Sequence, residues 1–259
     1  MAHFKTAWIT GASTGIGEAV TTLLIEKGTR VGMTARNPDT LHRYLQGLDP
    51  SLRERVILLP ADVRNIDQLA QAYENLQTTW GVPDLLLANA GTHINMPARR
   101  ISWEDCHTVL DVNLLGGVRT ITLVLPDMIA RGSGHIAAVG SLSSYRGLPW
   151  AAAYGASKSG LNNFLQSLRF DVEPHGILVT AINPGFVKTP LTAKNPFPMP
   201  MSITAETAAK YICEGLGRNK MEIHFPPLFS WFFKMLRILP YPIYHQVVKR
   251  MTGSHKRKE

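Results

Sequence analysis

The chain has 259 residues, a formal net charge of +8, 45% hydrophobic residues and two cysteines, Cys106 and Cys213. That length accommodates one large domain with a sizeable core, and two cysteines exclude a disulfide framework and fit a reducing compartment. Seven Lys/Arg but a single acid fall within 226–259, so +6 of the +8 belongs to the tail, which argues against a nucleic-acid groove across the body.

No internal repeat or low-complexity tract interrupts the chain, and no apolar run reads as a membrane-spanning helix. No signal-peptide pattern precedes the first strand, so the expected location is cytoplasmic. The first predicted element is a buried strand over 5–10, from the apolar and β-branched residues Thr6 to Thr10. The run Thr10-Gly11-Ala12-Ser13-Thr14-Gly15-Ile16-Gly17 follows. Ala19, Val20, Leu23 and Leu24 then recur at helical spacing up to Gly28. Strand, glycine turn and helix together let backbone approach a pyrophosphate, with free N–H groups and a positive dipole end facing it. The spacing is G-x-x-x-G-x-G rather than the commoner G-x-G-x-x-G, and a plain glycine-rich turn is the competing reading.

A second strand, 30–34, runs into Ala35-Arg36. An NAD site usually carries a carboxylate there for the ribose 2′-hydroxyl. Ala35 stands at that place, and Arg36 suits a 2′-phosphate, a charge-assisted contact worth about 1.5–3 kcal/mol. A solvated loop arginine is the alternative. Strands over 55–60 and 84–89 flank a helix over Ile66–Trp80. Asp62, with Val63 beside it, follows the third strand and is placed to accept from an adenine amino group. Asn89-Ala90-Gly91 follows the fourth, where small residues let backbone come close to ribose and nicotinamide. Either could instead cap a helix or turn.

A long helix is expected over Ile101–Ala130, then a strand over 134–140 ending at Ser141, then a helix over Ala153–Glu173 carrying Tyr154 and Lys158. Those two are i and i+4 and share a helix face. Reducing a carbonyl needs a proton donor at the forming alkoxide, and a neighbouring ammonium lowers a tyrosine's pKa from about 10. Ser141 can hydrogen-bond the carbonyl oxygen. Taken alone, a Tyr/Lys pair of this kind also describes an ordinary helix surface.

The last strands are expected at 177–183 and 221–225, with Pro184-Gly185 after the former. The stretch 186–202 holds Phe197, Met199, Met201 and four prolines. It reads either as an apolar lid over a hydrophobic substrate or as an ordered structural loop. His93, Trp150 and Phe186 are expected to line the same pocket. In the tail, Leu228, Trp231, Phe232, Met235, Leu236 and Leu239 repeat at helical spacing, with Ser230, Lys234 and Arg237 on the opposite face. Pro240 and Pro242 break that helix. A second pattern, Tyr244, Val247, Val248 and Met251, lies beside Lys249 and Arg250, and Lys256-Arg257-Lys258 follows. Three readings stay open for 226–259: an interfacial membrane helix, a helix docked on the body or a partner subunit, and a lid over the active site.

Alternating strands and helices predict an α/β fold, a doubly wound, mostly seven-stranded parallel sheet of Rossmann type with a C-terminal helical extension. The expected division is a nucleotide-binding domain over 1–225 and a basic amphipathic extension over 226–259. The joint set Thr10–Gly17, Asn89-Ala90-Gly91, Asn113, Ser141, Tyr154-Gly155-Ala156-Ser157-Lys158 and Pro184-Gly185 resembles the short-chain dehydrogenase/reductase family. The resemblance spans about 5–225. It implies that Tyr154 is the general acid/base, that Ser141 orients the substrate oxygen, that Lys158 holds ribose and tunes Tyr154, and that Asn113 holds a water behind Lys158. It also implies contacts from Pro184 to Thr189 with the nicotinamide, Val187 and Thr189 among them. The Ala35-Arg36 pair looks like the NADP-preferring subtype. Ala88 departs from the family's usual asparagine. The expectation is an NADP(H)-dependent oxidoreductase interconverting a hydrophobic ketone or aldehyde and an alcohol, with no metal, no nucleic-acid partner, possible membrane contact through 226–259, and a homo-dimer or tetramer. The alternatives are a 3-oxoacyl-carrier-protein reductase and a non-catalytic NADP-sensing or scaffold module.

Overall fold

A computed structural model describes residues 4–195 and 198–253, with only the backbone of Lys194. Seven parallel strands form the main sheet: β1 (Thr6–Thr10), β2 (Arg30–Thr34), β3 (Val56–Leu58), β4 (Leu85–Ala88), β5 (Gly134–Val139), β6 (Ile177–Pro184) and β9 (Glu222–Phe225), in the order β3-β2-β1-β4-β5-β6-β9. A small pair, β7 (Val187–Lys188) and β8 (Ile203–Thr204), stands apart. β1 and β4 are buried along their whole length, as strands covered on both faces must be. Ile9 pairs with Met33 on one side and Leu87 on the other. Strand order reverses between β1 and β4, and the crevice beyond their carboxyl ends is where a ligand is expected.

Helices α1 (Gly15–Glu26), α2 (Pro38–Gly47), α3 (Pro50–Arg53), α4 (Ile66–Trp80), α5 (Trp103–Leu110), α6 (Gly116–Arg131), α7 (Ala152–Val172) and α8 (Ala205–Gly217) connect the strands. One core layer, with Val20, Leu24 and Ile212, lies against one face of the sheet. A second, with Leu69, Ile121 and Leu165, covers the other. The doubly wound fold expected from the alternation is therefore present, with strand limits within two residues of expectation.

The helix expected over Ile101–Ala130 is divided by a wide π-type turn at Asp111–Leu115. Together these segments run from Trp103 to Arg131 and are long and apolar enough to cross a membrane by length and composition alone, contrary to the expectation that no segment would be. Here Val109, Ile121, Val124 and Met128 are buried in the protein core.

The tail forms two helices, α9 (Pro227–Ile238) and α10 (Tyr241–Thr252), broken at Leu239-Pro240. Its facing differs from the sequence expectation. Ser230 and Lys234, expected outside, turn toward β9: Ser230 Oγ lies 2.6 Å from His224 Nδ1 and Lys234 Nζ lies 2.7 Å from Glu222 Oε2. Leu228, Trp231, Met235 and Ile238 are 57–73% exposed. The strand edge offers polar partners, so the polar side of α9 is satisfied inward and much of its apolar side is left outside. Leu236, Tyr244 and Val248 pack with Leu148 and anchor both helices to the body. Phe197 and Lys256-Arg257-Lys258 lie outside the described residues.

Candidate active site

A cleft of about 410 Å³ opens beyond the carboxyl ends of β1, β2 and β4. Gly11, Ser13, Thr14, Gly15, Ile16, Arg36, Asp62, Val63, Asn89, Ala90, Gly91, Pro184, Gly185, Val187 and Thr189 line it, with Tyr154 and Lys158 at one end. Gly11 and Gly15 hold φ of +63° and +61°, which favours glycine over any other residue. No side chain caps the N-terminus of α1, so its first N–H groups are left for a ligand anion.

Gly17, expected at the ligand, stands behind the cleft instead. A Cβ there would meet Gly11 O at 2.2 Å and Asn89 Nδ2 at 2.5 Å. Its function in the fold is to let α1 pack against the end of β4. Asn89 in turn donates from Nδ2 to the carbonyls of Thr10 and Gly11, both at 3.0 Å. Asp62 faces the cleft, but its carboxylate is gripped by Arg64 at 2.6–3.1 Å, and these bonds hold its pKa below the usual value against the opposing effect of burial. Its backbone is engaged as well, its N donating to Gln68 Oε1 and its O accepting from Asn65 N, both at 2.9 Å. Asn37 and Thr40 line the cleft beside Arg36. Sequence reasoning missed them, and their place directly after β2 was the available signal.

Asn113 sits in the π-type turn, a distortion often found at functional sites. Its Oδ1 accepts from Thr92 N at 2.7 Å, and its Nδ2 donates to Thr92 O at 2.9 Å and to Ser157 Oγ at 3.1 Å. It thereby fixes the chain just past Gly91. Lys158 is buried and its Nζ donates to Val139 O at 2.7 Å. Burial lowers its pKa to about 8. Burial raises the pKa of Tyr154, and a hydrogen bond with Ser141 works the other way. Ser141 is buried, its N donating to Asn183 Oδ1 at 3.2 Å and its Oγ accepting from Ser143 N at 3.1 Å.

A second chamber of about 650 Å³ meets the cleft at Tyr154, Pro184, Gly185, Leu191 and Thr192. His93, Ser141, Trp150 and Phe186 line it, as do Phe229, Phe233 and Leu236 of α9 and Val248 and Met251 of α10. The His93 ring meets Tyr154 edge-on at 4.6 Å. Arg250 is the single Lys, Arg, Asp or Glu among the lining residues, at the rim. The contribution of α9 and α10 was not assigned to particular side chains from sequence, because facing on an amphipathic helix depends on what it packs against. Met199 and Met201 do not line the chamber, whereas Pro198 and Pro200 do.

A family model described as short chain dehydrogenase matches residues 5–197. An uncharacterized oxidoreductase of Myxococcus xanthus is 36% identical over 250 residues, covering 96% of this chain and 98% of its own. Among solved structures, the alcohol dehydrogenase of the archaeon Thermococcus sibiricus, complexed with 5-hydroxy-NADP, is 25% identical with a TM-score of 0.75, covering 85% of this chain and 95% of its own. Serine dehydrogenase from Escherichia coli is 28% identical with a TM-score of 0.74, covering 86% and 98%.

Proposed function

The chain belongs to the short-chain dehydrogenase family of oxidoreductases, and on that premise we propose that it interconverts a hydrophobic ketone or aldehyde and the corresponding alcohol using NADP(H). The observation that carries this reading is the junction at Tyr154: the glycine-lined cleft and the apolar chamber meet at this phenol.

The cleft fits a dinucleotide, with glycines where its backbone turns and an uncapped helix N-terminus for phosphate. Gly11, Ser13 to Ile16, Asn89 to Gly91 and Pro184 to Thr189 would hold it. Arg36 favours a 2′-phosphate, and no carboxylate replaces it at the end of β2. A nicotinamide bound there would supply the hydride. Tyr154, kept neutral by burial, gives its proton to the forming alkoxide. Ser141 holds the same oxygen by a hydrogen bond. Lys158, fixed at Val139 O, supports the ribose side of the site.

The chamber's aromatic and aliphatic walls suit a steroid-, retinoid- or long-chain acyl-like substrate. Arg250 at the rim is what favours the alternative of a carrier-bound 3-oxoacyl group. The proposed division assigns 1–225 to nucleotide binding and 226–259 to an extension that walls the chamber. Its exposed Leu228, Trp231, Met235 and Ile238, with the +6 charge of 226–259, support contact with an anionic membrane surface from a cytoplasmic location. Exposed Trp103, Leu115 and Phe170 support association of copies through the α5–α7 side.

The test is consumption of NADPH and NADH with a panel of carbonyls, beside Tyr154→Phe. Turnover of a hydrophobic carbonyl with NADPH, lost in the variant, is the expected result. Nucleotide binding without turnover of any carbonyl would favour the non-catalytic module.

A further inference from the structure

The seven residues 141–147, just past β5, do two things at once. Ser141 opens the segment beside Tyr154. At its far end Arg146 and Gly147 hold the C-terminal helices, and Tyr145 holds Glu222 of β9. Tyr145 donates its hydroxyl to Glu222 Oε1. Arg146 Nη1 donates to Leu239 O at 2.6 Å, and its guanidinium lies 4.5 Å from the Tyr244 ring centre. That places a cation at the carboxyl end of α9, where the helix dipole favours it. Tyr244 donates its hydroxyl to Gly147 O.

Glu222 is where these contacts converge. Its Oε1 accepts from Tyr145 and, at 2.9 Å, from Asn183 Nδ2. Its Oε2 accepts from Lys234 Nζ of α9 at 2.7 Å. Asn183 passes the contact on: its Oδ1 accepts from the backbone N of Ser141 at 3.2 Å and from Asn162 Nδ2 at 2.9 Å. An unbroken hydrogen-bonded path therefore runs from α9 through Lys234, Glu222 and Asn183 to Ser141. Glu222 and Lys234 are mostly shielded from solvent, with 32% and 25% of their side-chain surface exposed, so the pair is screened less than a surface ion pair. The same α9 presents Phe229, Phe233 and Leu236 to the chamber.

We propose that Glu222 is a positioning residue that couples the seating of the α9–α10 wall to the placement of Ser141. A substrate that packs against Phe229 and Phe233 then also steadies the serine that holds its carbonyl oxygen. The catalytic consequence rests on the carbonyl-reduction reading above; the mechanical coupling does not.

The test uses the full chain with Lys234→Met, Lys234→Arg, Glu222→Gln and Tyr145→Phe. Amide hydrogen exchange across 141–147 reports the coupling without any substrate. Lys234→Met and Glu222→Gln should speed that exchange roughly tenfold, an opening typical of a lost contact between coupled neighbours, while Lys234→Arg stays near wild type. With a carbonyl substrate, kcat should fall by roughly 3- to 30-fold, with NADPH affinity unchanged. Wild-type exchange at 141–147 in Lys234→Met, Glu222→Gln and Tyr145→Phe alike would overturn the coupling. Faster exchange with unchanged kcat would overturn its catalytic role. If the wild-type protein reduces no carbonyl, the functional reading fails and the exchange result still decides the coupling.

Discussion

Lys158 Nζ donates to the carbonyl of Val139 at 2.7 Å, so the helix bearing Tyr154 and the strand leading to Ser141 are tied together at the junction of cleft and chamber. The contact uses one of three ammonium protons, and Nζ also lies beside Gly91, whose added Cβ would stand 3.5 Å from it.

Tyr154→Phe removes the phenolic proton and keeps the ring against His93. Activity is expected to fall by about 10²- to 10⁴-fold, the range for loss of a general acid, with NADPH affinity within about twofold of wild type because the cleft is otherwise unchanged. Steady-state kinetics beside nucleotide titration checks this. A variant that retains turnover would remove Tyr154 from the chemistry.

Arg36→Ala should weaken NADPH by roughly 10- to 100-fold, the worth of a charge-assisted hydrogen bond to phosphate, and leave NADH nearly unaffected. Equal losses for both nucleotides would mean that Arg36 does not read the 2′ position.

Two glycines should behave differently. Gly17→Ala drives a Cβ against Gly11 O and Asn89 Nδ2 and should cost about 1–3 kcal/mol of stability, as overpacking does. Gly91→Ala, whose nearest neighbours would stand at 3.4–3.5 Å, should fold normally and lose nucleotide affinity. Denaturant midpoints and nucleotide titrations separate the two effects.

His135 predicts a pH dependence of stability. Its Nε2 lies 2.7 Å from Thr180 Oγ1, which itself donates to Lys220 O, so the ring is the donor and Nδ1 is buried without a partner. Burial lowers its pKa to about 4. The unfolded chain, near the usual 6.5, binds the proton first, so stability is intact above about 6.5 and declines as pH falls toward 4, by ~3 kcal/mol at most. His135→Gln should flatten that part of a denaturation series. An equal decline in the variant would assign the acid sensitivity to other groups.

Sedimentation with anionic vesicles at low salt tests the outer face of α9. Trp231→Ser with Met235→Ser should reduce binding at least several-fold, and added salt should reduce it further. Absence of binding by the wild-type chain would falsify the membrane contact and leave the wall of the chamber as the role of the extension.

Much of this protein was legible in the linear pattern. Short apolar runs alternating with helical spacing dictate a parallel sheet, because strands covered on both faces must be apolar throughout and their crossovers must be helical. The glycine run, Asn89-Ala90-Gly91, Ser141 and the Tyr154/Lys158 pair were visible because each follows a strand or shares one helix face. Only the tertiary structure separated Gly17 from the cleft-lining glycines, since the difference is which surface of α1 meets Asn89. It also engaged Asp62 with Arg64 and held Lys158 at Val139. Helical spacing groups Leu228, Trp231 and Met235 on one face but does not say what that face meets. Glu222 and His224, on a strand edge brought close by the fold, turn Lys234 and Ser230 inward, because a hydrogen-bonding strand edge selects the polar face of the helix laid beside it.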